Sequence, residues 1–234
     1  MRRCYLVRHA QTAWNGENRI QGHSDIPLSP LGQQQAERLS RWFASRHLCG
    51  IFTSNLQRSR QTAHAIAAGL PAAPMTSGTM HGAAQAGNGS HRIEPVIEPH
   101  LAEIHLGAWE GLTPVEVDAR FANAYQQWRV RPSSVVIPGG EPLGAFRERV
   151  REALSRILDG LGEGEYVLVS HGGVIAALLA DLLSADYDLL MRRLRLDNAG
   201  VTAVEFGERP HVLWINATAH LDALAPAEEA GGWW

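Results

Sequence analysis

The chain twice runs a short apolar segment straight into a histidine. Cys4 to Val7 is rich in strand formers and ends abruptly at Arg8-His9; Tyr166 to Val169 ends the same way at Ser170-His171, followed by Gly172 and Gly173. Each run reads as a buried parallel strand that stops at a working loop. In α/β proteins ligands bind beyond the carboxyl ends of such strands, so two histidines stand where chemistry is expected.

The segments between them alternate as such a sheet requires. Ser29 can cap a helix, Pro30 suits its first position, and Ala36, Leu39 and Phe43 recur at helical spacing. Gly50 to Thr53 reads as a second strand, and Ser54 onward as a helix with Arg58 in its first turns and Ala63, Ile66 and Ala67 among its apolar positions. Thr113, Pro114 and Glu116 make a capping box, which predicts a helix running towards Trp128. Pro138-Gly139-Gly140 is a turn; Leu143, Phe146, Val150, Leu154, Ile157 and Leu158 mark one face of a long helix closed by Gly160 and Gly162. Val201 to Phe206 and Val212 to Ile215 read as strands of a closing hairpin, with Gly207 and Pro210 in its turn. The pattern predicts a three-layer α/β/α sandwich with a mostly parallel central sheet.

A single domain over residues 1–221 is expected, with a flexible insertion at about 71–95, where glycines and small residues show no period, and a tail at 222–234. At 234 residues the chain can bury a substantial core without staples. Its net charge of -3 offers no general attraction to nucleic acid or an anionic membrane, so a bound anion needs a local cationic cluster. No apolar stretch approaches a membrane span or a signal peptide, and the cytoplasm is the expected location. Cys4 and Cys49 read as reduced, inert thiols, too few for a structural zinc site. Any exposed tryptophans would support a homodimer.

A phosphate monoester carries nearly two negative charges, and an enzyme attacking it must neutralise them and supply a nucleophile in line with the leaving oxygen. Arg8 and Arg58 offer forks for phosphate oxygens, and the glycines after His171 let a helix N-terminus approach the same anion. Singly, each such residue is more often structural than catalytic; their placement after buried strands gives them weight.

At these positions the chain resembles the histidine phosphatase superfamily, which includes the cofactor-dependent phosphoglycerate mutases. Leu6-Val7-Arg8-His9-Ala10-Gln11-Thr12 with Asn15 is similar to the family signature, and Gln21-Gly22, Asp25, Pro27-Leu28-Ser29 and Gly32 to the segment after it. Ser54, Leu56, Arg58, Thr62 and Ala63 resemble the second arginine motif, and Leu101, Glu103, Gly107 and Trp109-Glu110-Gly111 the acidic one. Pro138-Gly139-Gly140-Glu141, Ser170-His171-Gly172-Gly173, Asn198 and Ala219-His220-Leu221 complete the order.

The resemblance implies a phosphoglycerate mutase-like fold and no cofactor or metal. It implies that His9 is the nucleophile, that Arg8, Arg58 and His171 grip the phosphoryl group, and that Glu103 protonates the leaving oxygen. Asn15 and the Gly172 amide would add hydrogen bonds, and Gln21-Gly22 belongs to the substrate-binding segment, with Gln21 and His23 on the rim. His23, His64, His105, His211 and His220 are expected to be structural or rim residues. Two departures stand out: Ala10 where the signature has glycine, and Pro142 where serine often follows Pro-Gly-Gly-Glu.

The stretch Glu103 to Gly111 resembles the phosphatase branch, and the mutases' Glu-Arg-His-Tyr-Gly version and basic insertion are missing. A phosphatase acting on a small phosphorylated metabolite is therefore expected. A phosphoglycerate mutase is the alternative, and a non-catalytic phospholigand-binding module the alternative from another class.

Overall fold

The computed structural model describes residues 1–71, 73–74, 83–84, 90–222 and 224. In chain order the strands are β1 (Arg2–Arg8), β2 (Leu48–Thr53), β3 (Ala73–Pro74), β4 (Ala83–Ala84), β5 (Ser90–Ile93), β6 (Val96–Ile97), β7 (Gly164–Ser170), β8 (Val201–Phe206) and β9 (His211–Ala217). The helices are α1 (Ala13–Gly16), α2 (Pro30–Phe43), α3 (Gln57–Gly69), α4 (Pro114–Arg120), α5 (Ala124–Val130), α6 (Leu143–Gly160), α7 (Gly172–Leu182) and α8 (Tyr187–Arg193). Six strands form one mixed sheet in the order β6-β2-β7-β1-β8-β9. The four from β6 to β1 run parallel, and β8 and β9 close the sheet as the expected antiparallel hairpin.

Both faces of this sheet are covered, which explains why its central strands show no polar alternation. Cys4, Leu6, Tyr166, Leu168, Val204 and Phe206 point into one apolar cluster, shared with Phe146, Val150 and Ile157 of α6 and the buried length of α7. Their strand neighbours Tyr5, Val7, Val167, Val169, Val201 and Ala203 point into the other, against Ala36, Leu39 and Phe43 of α2 and Ala63 and Ile66 of α3. The period of two along each strand divides the core into two layers, and the result is the α/β/α sandwich.

Local signals place the helix starts well. Ser29 caps α2 by accepting from the Gly32 amide, with Pro30 in the first turn. Thr113 and Glu116 form the expected reciprocal capping box at α4. The helix expected to continue to Trp128 does not: Ala122 and Asn123 both take left-handed backbone angles and split it into α4 and α5. The Asp118 carboxylate holds the break by accepting from the amides of Tyr125 and Gln126. Two short helices went unread in the sequence. α1 is capped by Thr12 with Asn15, and α8 by Asp186.

The segment at 71–95, expected to be a loop, contains β3, β5 and β4 at its described positions, paired antiparallel in that order. Strand pairing is a property of the backbone, and pieces this short leave no period in a sequence. The flexibility expected of the rest of the insertion, and most of the tail at 222–234, lie outside the described residues. Trp14, Trp42, Trp109, Trp128 and Trp214 are buried or half-buried, while Trp233 and Trp234 lie outside the described residues. Among the described residues no helix is long and apolar enough to cross a membrane.

Candidate active site

The register of the two central strands creates the site. β1 and β7 run parallel with Arg8 paired to Ser170, so the residues after them, His9 and His171, emerge side by side. The His9 amide donates to the Ser170 carbonyl at 2.9 Å, and the two imidazole centroids lie 5.1 Å apart. Both rings are buried.

The ring nitrogens of the two histidines are engaged in opposite ways. His9 Nδ1 lies 2.8 Å from the Ala10 carbonyl oxygen, which can only accept. The proton therefore sits on Nδ1, and Nε2 keeps its lone pair. His171 Nε2 instead lies 2.8 Å from Ser54 Oγ, which also accepts from the Leu56 amide. The Ser54 hydroxyl meets its acceptor at Nε2, which places the His171 proton on Nδ1, a buried nitrogen with no partner.

Other segments hold the nucleophile candidate's backbone. Thr62 accepts from the Ala10 amide at 3.1 Å and donates to the Arg58 carbonyl at 2.7 Å, tying the loop after β1 to α3. Asn198 donates to the His9 carbonyl at 3.0 Å and to Asn15 Oδ1 at 3.3 Å. Ala10 is not among the residues with positive φ, so alanine fits where the family signature has glycine. Pro142 sits at the N-cap of α6 without a side-chain cap, so the polar contact a serine would make is absent there.

Two buried guanidiniums flank the histidines. Arg8 donates to the Leu196 carbonyl at 2.5 Å, and Arg58 donates to the carbonyls of Ser24 and Gly22, each at 2.8 Å. Both keep a buried Nε with no partner. Gly22 has a φ of +50°, and a Cβ there would meet Glu110 Oε1 at 2.2 Å, so the turn that receives Arg58 needs glycine. Gln21 is a correction to the sequence reading: it is buried, with Oε1 accepting from Thr12 Oγ1 at 3.0 Å, and so lines the wall and not the rim. Its Nε2 is again a buried donor with no partner. Asn15 is buried beside it and accepts from the Thr12 amide at 3.0 Å.

Glu103 arrives from the segment before α4. Its Oε1 accepts from the Ile104 amide at 3.0 Å and its Oε2 from the Gly173 amide at 3.1 Å. The Gly173 amide in α7 thus serves this carboxylate, a contact separate from the one expected between the Gly172 amide and a phosphoryl group. A Cβ on Gly173 would stand 2.4 Å from Glu103 Oε1, which accounts for the glycine there.

The electrostatics follow from burial and from the arginines. Burial, then the charges of Arg58 and Arg8, hold His9 well below the usual imidazole range, and the Ala10 hydrogen bond opposes this without reversing it. Burial and the same arginines keep His171 well below that range too. Burial raises Glu103 above the usual carboxylate range, although the amides of Gly173 and Ile104 and both arginines pull it down. Burial lowers Arg58 to about 10, which leaves it a cation at neutral pH, and burial lowers Arg8 also. The cluster therefore combines neutral imidazoles, two guanidiniums and a carboxyl whose proton affinity burial has raised.

His23, expected on the rim, donates through Nε2 to the Glu103 carbonyl at 2.7 Å and so touches the Glu103 segment directly. His220 donates to the Ala199 carbonyl at 3.0 Å and is structural, while His64 and His211 are exposed on the surface. Ser54, Thr62 and Asn198 stood in recognisable motifs without an assigned role; Arg149, described below, carried no signal at all. Among the described residues no group of three or more His, Cys, Asp or Glu could hold a metal ion. Burial raises the Cys4 thiol to about 12, in keeping with an inert core residue.

A mixed sheet covered on both faces, with paired histidines at adjacent strand ends between two buried arginines, is the architecture of the histidine phosphatases. The chain belongs to the histidine phosphatase superfamily (branch 1), whose model matches residues 4–78 and 78–218. It is similar to the probable phosphoglycerate mutase GpmB of Yersinia enterocolitica, with 32% identity over 240 residues, covering 96% of this chain and 97% of that one. Among solved structures, Bacillus stearothermophilus YhfR superposes with a TM-score of 0.80 at 29% identity, covering 95% of this chain and all (100%) of that one. The mycobacterial glucosyl-3-phosphoglycerate phosphatase, solved with VO3, gives 0.76 at 28% identity, covering 93% and 100%.

Proposed function

We propose that this protein is a phosphomonoesterase that acts through a phosphohistidine on His9. The observation that carries the reading is the state of that imidazole: neutral, its Nδ1–H tied to the Ala10 carbonyl, and its Nε2 lone pair left for phosphorus. Around it, unpartnered buried donors on Arg8, Arg58, Gln21 and His171 suit the oxygens of a phosphoryl group.

In the first step Nε2 attacks phosphorus and the bond from phosphorus to the ester oxygen breaks. That oxygen leaves with the electron pair and takes the proton from Glu103. In the second step water attacks phosphorus, the Glu103 carboxylate accepts the water proton, and the electrons of the N–P bond return to Nε2. Inorganic phosphate leaves, and both residues are reset. A carboxyl whose proton affinity is raised by burial suits both halves, since it is a better proton acceptor than a solvated carboxylate once its proton has gone to the leaving oxygen. Arg8, Arg58 and the His171 Nδ1–H would stabilise the charge spread over the equatorial oxygens, and Asn15 and the Gly172 amide would add contacts. As proposed, the two guanidiniums supply the positive charge, so the reaction proceeds without a metal.

The substrate class is a small phosphorylated metabolite. Likeness to a glucosyl-3-phosphoglycerate phosphatase favours hydrolysis. Likeness to a probable phosphoglycerate mutase of Yersinia favours the second reading, transfer between phosphoglycerates. Rapid-quench labelling with a good ester should trap an acid-labile phosphoryl group on His9; turnover with no adduct there would refute the mechanism. Incubation with a bisphosphoglycerate and the monophosphoglycerates should release phosphate, whereas net interconversion without release would establish the mutase.

A further inference from the structure

The Glu103 carboxyl is set by a side chain that touches no reacting atom. Arg149, in α6, has five N–H donors, and all five are engaged. Nη1 donates to the carbonyls of His100 at 2.7 Å and Ala102 at 2.8 Å; Nη2 donates to the Glu103 carbonyl at 2.9 Å and Glu141 Oε2 at 2.8 Å; Nε donates to Glu141 Oε1 at 2.7 Å. Glu141 completes the bracket, with its amide donating to the His105 carbonyl at 2.8 Å and its Oε2 accepting from the His105 amide at 3.3 Å. One guanidinium and its bidentate carboxylate thus grip the main chain from residue 100 to residue 105.

The consequence for the carboxyl is geometric. The Glu103 carbonyl and the Ile104 N–H belong to one planar peptide unit and point in opposite directions. Arg149 and His23 draw the carbonyl to one side at 2.9 and 2.7 Å, which turns the N–H to the other, where it donates to Glu103 Oε1. The Glu103 side chain is therefore aimed by its own peptide plane, and Arg149 fixes that plane. The Arg149 guanidinium also lies over the Phe146 ring, 5.0 Å from its centroid, so the donor is itself held.

We propose that Arg149 is a positioning residue for proton delivery to the leaving group, acting through the Glu103–Ile104 peptide; this rests on the assignment of Glu103 as the proton donor. The test compares p-nitrophenyl, phenyl and benzyl phosphate, which need the proton increasingly, in wild type, Arg149→Met, Arg149→Lys and Glu103→Gln. Arg149→Met should lose about 30-fold in kcat/KM on benzyl phosphate but under about threefold on p-nitrophenyl phosphate, a fraction of what general acid catalysis supplies. Inhibition by vanadate should be unchanged, because the phosphoryl pocket is intact. Arg149→Lys should follow Arg149→Met, since an ammonium has only three donors and cannot serve five oxygens.

Equal losses on all three esters together with weaker vanadate binding would make Arg149 a holder of the fold alone and overturn the proposal. A leaving-group dependence in Glu103→Gln without one in Arg149→Met would overturn the Arg149 role and leave Glu103 as donor. No such dependence in Glu103→Gln would overturn both. If Arg149→Met fails to fold, Glu141→Gln, which weakens the bidentate grip without changing shape, should shift the ester series in the same direction by less; no shift would count against the proposal.

Discussion

His9 and His171 are reached by nearly the same sequence pattern, lie 5.1 Å apart, and are both buried and neutral, yet their hydrogen bonds run in opposite senses. At His9 the nitrogen engaged is Nδ1, on the carbonyl of the next residue; at His171 it is Nε2, on a serine 117 positions away in sequence. One ring is left offering a lone pair and the other a proton. A strand end supplies the position of an imidazole, and its hydrogen-bond partner decides whether that imidazole attacks or donates.

The largest test of this difference is to remove each ring in turn. His9→Ala should lower kcat by about four orders of magnitude or more, as loss of a nucleophile does. His171→Ala should cost about 100- to 1,000-fold, as loss of one oxyanion donor does. Trapped phosphoenzyme should disappear only from the first variant, and similar losses with similar trapping would break the distinction.

A second test reads what the rings share. Both have folded pKa values below the ordinary imidazole value, so their contribution to stability is present above about pH 6.5 and is lost as the pH falls towards the folded values. Glu103, raised by burial, works in the other sense: its contribution is present at low pH and is lost as the pH rises through its folded value. Because Glu103 is common to both proteins, His171→Ala should flatten the acid side of the urea stability profile by about 1.4 kcal/mol per pH unit relative to wild type. Parallel profiles would show that His171 protonates alike in the folded and unfolded chains.

The smallest effect sharpens the tautomer argument. Ser54→Ala removes the partner of His171 Nε2 and leaves His9 untouched. It should reduce kcat roughly tenfold, the scale of one hydrogen bond of about 1.4 kcal/mol, with full labelling of His9 in a quench experiment. A loss as large as that of His171→Ala would mean that Ser54 does more than orient the ring.

The parts of the fold that the sequence displayed are those built from neighbours along the chain. The Ser29 and Thr113 caps, the amphipathic face of α6 and the apolar runs of β1 and β7 all appear where local chemistry places them. The break at Ala122-Asn123 did not show, because Ala122 is an ordinary helix former and the Asp118 contacts that hold the turn need the folded loop. Arg8, His9, Arg58, Glu103 and His171 could be named from their motifs, and the structure gathers them into one buried cluster. Arg149 could not, since an arginine in a helix ordinarily reads as a solvated face; only the fold shows all five of its donors engaged. Gln21 was placed on the rim through the family resemblance, and the Thr12 hydroxyl that draws it inward is a tertiary partner only once α1 has formed.

By itself the sequence determined that buried strands end in histidines, that helices cover both faces of the sheet, and which side chains are available for phosphoryl chemistry. These follow from periodicity, capping and residue type, which act within a few positions. The tertiary structure decided the rest: which nitrogen of each imidazole carries the proton, which glycine amide meets Glu103, and that one arginine in α6 fixes the plane aiming that carboxyl. The reason is that hydrogen bonds to buried groups are satisfied by whatever the fold brings within about 3 Å, and here the partners come from segments tens to more than a hundred residues apart.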